Sequence, residues 1–104
     1  MKISEAMRKG FAISEPCICA FILECDDKSL ISCAAGAVLL GSGEDWREVG
    51  KNHIRSRLYE LFPQLNWVYT FTGGASLMTW ITNQNDTREM TREEIAETLE
   101  SNGL

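Results

Sequence analysis

Four cysteines and one histidine are the residues of this 104-residue chain best suited to covalent or metal chemistry. Cys17, Cys19, Cys25 and Cys33 cluster in the first third, and His53 stands alone. None of the cysteine spacings is that of a paired zinc-knuckle motif. Cys33 falls where a helix is expected to start, and a helix dipole there would lower its thiol pKa. That makes a Cys33/His53 thiol–base pair the one nucleophilic arrangement the sequence offers. His53 lies among basic residues, however, and remote in sequence from every cysteine. The simpler reading is four small thiols packed in a reducing compartment. No metal and no cofactor is expected, and no catalytic residue is assigned.

Two polar stretches invite sharper readings that fail on inspection. Between Asn83 and Glu94, oxygen-bearing side chains fall at Asn83, Asn85, Thr87 and Glu94, as in a calcium loop. Arg88 stands where such a loop needs glycine, and Thr91 followed by Glu94 is better explained as a helix-capping box. TREEIAETL resembles the first helix of a helix-turn-helix unit, but it is the last helical segment of the chain, with no recognition helix after it.

Charge and composition narrow the function classes. The formal net charge is −5, with 10 Lys and Arg against 15 Asp and Glu. A dedicated nucleic-acid binder draws its affinity from Lys and Arg on phosphates, so nucleic acid is not the expected partner. Complementarity to a basic protein surface is. MKISEAMRKG lacks the apolar run of a signal peptide, and no apolar run reaches the length of a membrane span. The expected setting is cytoplasmic, without a membrane.

The elements that must position these residues can be read in order. Ile3 to Gly10 reads as a short helix capped by Ser4. Cys17 to Glu24 is a nearly continuous apolar run that suits a buried strand, on which Cys17 and Cys19 share a face. Asp26 to Lys28 make a turn, and Ser29 to Ile31 can return as an antiparallel partner. Ser32 to Gly41 reads as a helix capped by Ser32, whose small residues let another backbone approach closely. A long helix is expected from Asp45 to Leu61, opened by an Asp45/Glu48 capping box and carrying a basic ridge of Arg47, Lys51 and Arg55. Leu65 to Thr72 reads as a strand. Ala75 to Asn83 fits a helix better than a strand. Thr91 and Glu94 then cap a terminal helix that Asn102-Gly103 ends.

The blocks SEAMRKG, SCAAGA, LFP and ND-x-x-x-MTREEIAETLE follow one another in an order that resembles a family of small uncharacterised bacterial and prophage proteins. Ser32 to Ala37 match that family's small-residue helix. Asn85, Asp86, Thr91, Arg92, Glu93, Ile95 and Ala96 match its terminal block, with Met90 where the family usually has Trp. Some members carry a Cys-Pro-x-x-Cys pair before that block. The corresponding region here, Thr70 to Gly74, has no cysteine. The resemblance implies a phage or mobile-element setting and a bacterial host cell, and no activity.

The expected fold is a compact α+β domain spanning residues 1–104, with four or five short helices around a small antiparallel sheet. The expected function is that of a phage- or prophage-associated accessory protein that binds a host or defence macromolecule without catalysis. The candidate binding residues are Trp80, Asn85 and Asp86, together with Arg47, Lys51 and Arg55. The competing class is a small-molecule- or metal-binding protein with weak Cys/His chemistry. A third is a homodimer packed through the small-residue helix Cys33 to Leu40.

Overall fold

The fold is organised around the small-residue helix, α2 (Ala34–Gly41), which is buried along nearly its whole length. The computed structural model describes residues 1–18 and 20–104; Cys19, and its expected face-sharing with Cys17, lie outside the described residues. α1 (Ile3–Phe11) packs directly on α2. Their backbones are so close that a Cβ added at Gly10 would lie 1.9 Å from the Ala37 carbonyl oxygen. One added at Gly41 would lie 1.6 Å from the Ala6 carbonyl oxygen. On the opposite side, a Cβ at Gly36 would meet the Phe21 carbonyl oxygen at 1.9 Å. The close approach expected of this helix is therefore intramolecular on both flanks. That overturns its role as a dimer seam, because no face of it is left to receive a second copy.

Among the described residues there are six α-helices and a three-stranded sheet, an α+β fold. The sheet is mixed rather than purely antiparallel. β2 (Ile22–Glu24) and β3 (Leu30–Ser32) form the expected hairpin, with Leu23 opposite Ile31. β1 (Glu15–Pro16) adds to the other edge of β3 in parallel, with Pro16 opposite Ser32. Among the described residues of the expected strand Cys17 to Glu24, only β2 is strand. Pro16 does sit in a strand, where its missing N–H falls on the open edge.

Two expected caps do not form. Ser4 lies inside α1, and its N–H donates to the Leu104 carbonyl at 3.1 Å. Ser32 does not cap α2; Cys33 does, its sulfur accepting from the Gly36 N–H at 3.3 Å. The Ser32 hydroxyl is instead buried against Ser14 Oγ at 2.7 Å. Ser14 spends its own proton on the Gly10 carbonyl, so Ser32 is the donor to Ser14.

The expected long helix is two helices, α3 (Trp46–Val49) and α4 (Ile54–Leu61), which raises the helix number to six. Gly50 separates them at φ 83°, a left-handed value that costs a residue without a Cβ little. Asp45 caps α3 by accepting from the Arg47 N–H at 3.1 Å, without a reciprocal bond from Glu48. The expected strand Leu65 to Thr72 is also overturned. It holds two 3₁₀ turns, Pro63–Asn66 and Thr70–Thr72, and touches other backbone as a strand only at the bridge between Val68 and Ser76.

The last two helices follow expectation. α5 (Leu77–Thr87) is capped by Ser76, and α6 (Arg92–Ser101) by the full Thr91/Glu94 box. Gly103 closes α6 at φ 78°, with the Leu104 N–H donating to the Leu99 carbonyl at 2.9 Å. This is the six-to-one bond of a Schellman ending. The core joins all of these: Ile3 and Met7 of α1, Val38 and Leu39 of α2, Ile54 and Leu58 of α4, Leu77, Met78 and Ile81 of α5, and Ile95 and Leu99 of α6. No helix among the described residues is long and apolar enough to cross a membrane.

Candidate functional site

Asn85 is a buried amide whose side chain makes three hydrogen bonds. It is 7% exposed, on the inward face of α5. Its Oδ1 accepts from the Ala34 N–H at 2.9 Å, and its Nδ2 donates to the Cys17 carbonyl at 3.0 Å. Only one orientation of the amide satisfies both partners, since the N–H needs an acceptor and the carbonyl a donor. The Cys17 N–H still bonds the Ser32 carbonyl, the last rung between β1 and β3. The next rung would join the Cys17 carbonyl to the Ala34 N–H. The Asn85 amide is inserted there in place of a direct bond. It therefore extends the parallel ladder, caps α2 and ties α5 to both. That assigns a structural task to a residue that the sequence leaves free for binding.

Its neighbour Asp86 is exposed and accepts from Asn85 Nδ2 at 3.2 Å. Asp86 lines a small cleft of about 250 Å³ with Arg55, Cys33, Phe21, Ala20 and Thr82. Two of the expected binding residues, Arg55 and Asp86, thus come together. The Arg55 guanidinium lies 5.6 Å from the Phe21 ring centre and makes a long bond to Tyr59 Oη at 3.4 Å.

The expected basic ridge does not form. Gly50 turns the chain between Arg47 and Lys51, so Arg47, Lys51 and Arg55 do not share one helical face. Arg47 pairs with Glu24 and lies over the Trp46 ring at 4.8 Å. Lys51 sits exposed in the connecting turn. Trp80 is half-buried on α5, its ring edge-on to Phe71 at 5.0 Å in a row that includes Tyr69. It packs against the core rather than presenting a free face.

Cys33 does not behave as a dipole-activated thiol. Burial is the dominant influence and pushes its pKa up to about 11, against the lowering effect of the Gly36 and Ala35 backbone N–H groups. The sulfur serves as a cap, and His53 is exposed at the start of α4. No set of three or more potential metal-ligating side chains gathers among the described residues.

Two features were not singled out from the sequence. Trp67 and Val68, 58% and 60% exposed, stand side by side between the two 3₁₀ turns. They are held firmly. The Trp67 carbonyl accepts from the Leu77 N–H at 2.8 Å, its N–H donates to Gln64, and Val68 bridges Ser76. The second feature is Arg92. Its Nη2 donates to the carbonyls of Phe11 at 3.0 Å and Ser14 at 2.9 Å, while the guanidinium lies 4.0 Å from the Phe11 ring centre. The first residue of α6 thereby fastens the end of α1. The adjacent Trp–Val pair following the Pro63–Asn66 segment was a legible signal for the first feature; nothing local marks the second. The chain matches no known family model, no curated protein and no solved structure, so its functional reading rests on this geometry.

Proposed function

We propose that the protein is a non-catalytic binding module that engages another protein, in a phage or prophage setting a host or defence factor. The observation that carries this reading is the exposed Trp67–Val68 pair on a hydrogen-bonded backbone. A tryptophan held on an ordered pedestal offers a large contact area at little entropic cost, which is what anchors of protein interfaces share. The occupant that fits is an apolar pocket rimmed by Lys and Arg, because the net charge of −5 attracts such a surface. The phage setting rests on the sequence resemblance alone.

The test compares capture of host proteins at low salt by the parent and by Trp67→Ala, a substitution at an exposed position. The reading requires a captured protein that is lost with Trp67→Ala and weakens as salt rises. An empty capture, or one indifferent to Trp67→Ala, overturns it.

The cleft where Cys33, Arg55 and Asp86 meet favours a second reading, a small-molecule site. Fast alkylation of Cys33 in the native protein near neutral pH would support that reading over the first.

A further inference from the structure

At the opposite end of α5 from Trp67, a groove of about 570 Å³ runs between the open edge of β1 and the turn joining α5 to α6. Pro16, Ile18 and Met90 give it apolar walls, and Arg88, Arg92 and Glu93 its charge. The charges do not cancel. The Glu93 carboxylate is already taken by Arg8 at 2.9 Å. Three arginines of the chain, Arg8, Arg47 and Arg57, have carboxylate partners. Arg88 and Arg92, like Arg55, have none among the described residues. Arg88 is exposed and held in the left-handed conformation that ends α5. Arg92 is fastened by Nη2, but its Nη1 is shut away from water without an acceptor among the described residues. Glu15 acts on Arg92 only from beyond ion-pair distance. In a chain of net charge −5, this groove is a local site that lacks negative charge.

The strand beside it lacks a partner too. Because the Cys17 N–H bonds β3, residues 15 and 17 direct their backbone groups inward and residues 14 and 16 outward. The outward carbonyl of Ser14 is met by Arg92. The outward carbonyl of Pro16 has no hydrogen bond among the described residues.

We propose that this groove binds an extended acidic–apolar segment of a partner protein. A backbone N–H of the segment donates to the Pro16 carbonyl. An aspartate or glutamate carboxylate accepts from Arg88 and, after a small rotation of its guanidinium, from Arg92 Nη1. An apolar side chain next to the carboxylate lies on Pro16, Ile18 and Met90. Strand addition at an open edge supplies the main-chain contact, and the arginines supply the selectivity for charge. The groove and the Trp67–Val68 pair lie at opposite ends of α5, so this proposal stands independently of the other surface.

The test is a two-dimensional amide NMR titration of the intact protein with a blocked peptide of alternating Asp and Val. The matching Asn/Val peptide and free butyrate serve as controls. The expected result is saturable shifts centred on Ile18, Arg88 and Arg92. Affinity should fall at least tenfold with the Asn/Val peptide and with Arg88→Glu, an exposed position whose change leaves the spectrum of the free protein otherwise intact. No shifts at millimolar peptide, or equal binding of the Asn/Val peptide, overturns the proposal. Butyrate binding as tight as that of the Asp/Val peptide overturns it in favour of a site for small free acids. Shifts at Trp67 with none in the groove also overturn it, while leaving the other surface standing.

Discussion

Replacing Asn85 tests the most specific structural conclusion, that one side-chain amide completes the β1–β3 ladder. Asn85→Ala removes the acceptor for the Ala34 N–H and the donor for the Cys17 carbonyl. Ala34 is fully buried, so its N–H is left without water, at a cost of ~1–3 kcal/mol. Cys17 is half-buried and its carbonyl can rehydrate, so that bond is worth only ~0.5–1.5 kcal/mol. Together these give a loss of about 1.5–4.5 kcal/mol, a large part of the ~5–15 kcal/mol that holds a domain of this size together. Asn85→Asp sharpens the test. An ionised carboxylate still accepts from Ala34 but cannot donate to Cys17, and it sits beside Asp86. The fold therefore favours its protonated form, raising the folded pKa above the unfolded value of ~3.9. By linkage the penalty is full above the folded pKa and shrinks as pH falls toward the unfolded value, since the acid regains a donor. The assay is urea unfolding of parent and both variants at pH 7 and pH 4, read as differences from the parent at each pH. A loss below ~0.5 kcal/mol for Asn85→Ala refutes the bridge. So does an Asn85→Asp deficit that does not shrink on acidification.

Four further outcomes follow from the packing and the caps. Gly41→Ala forces a methyl against the Ala6 carbonyl oxygen, which backbone cannot yield; a loss of ~3 kcal/mol or more is expected in thermal melts, against almost none for a substitution at the surface. Thr91→Ala breaks the capping box and should cost ~1 kcal/mol in denaturant unfolding. The Glu94 carboxyl lies below its ordinary range because the Thr91 N–H and hydroxyl bond it. Its contribution is therefore present above the unfolded carboxyl pKa and lost as pH falls through the folded one, so Glu94→Gln should flatten the acid limb of the stability profile. Native Cys33, with its pKa raised to about 11, should alkylate roughly two orders of magnitude more slowly at pH 8 than an ordinary thiol, and mass spectrometry should show it reacting at the ordinary rate once urea unfolds the chain.

The parts of this fold legible in the sequence are those set by neighbours a few residues apart. The Thr91/Glu94 box, the Gly103 ending and the β2–β3 hairpin each depend on local chemistry that a short window contains. The expected helix over Asp45 to Leu61 failed although a local signal was present. Gly50 and Asn52 are weak helix formers two residues apart, and the apolar periodicity on both sides masked them. The strand expected over Leu65 to Thr72 failed for another reason. β-Branched and aromatic residues suit a pleated surface, but the Thr72 hydroxyl bonds the backbone of Tyr69 and Ala75, folding the segment on itself. Among the described residues no ladder partner competes with those bonds beyond the single bridge at Val68.

Asn85 shows why the candidate site was harder to read than the fold. Its partners Ala34 and Cys17 are remote in sequence, so no local motif announces them. One signal did exist: Leu77, Met78 and Ile81 form the buried stripe of α5, and Asn85 continues it one turn further. A polar residue on an apolar stripe must find partners inside the fold, which makes it more informative than the exposed Asp86 beside it. The same residue has a consequence for function. Asn85 borders the arginine groove, while Asp86 and Cys33 border the small cleft. Cys17 and Cys33, one on each, are held at their spacing by the Asn85 amide through the Cys17 carbonyl and the Ala34 N–H. The shared wall between the two concavities cannot part at Cys17 and Ala34 without breaking a bond of that amide. A ligand entering either side therefore meets a preformed wall, and loosening the clamp must alter both sites together, whereas Arg88→Glu acts on the groove alone.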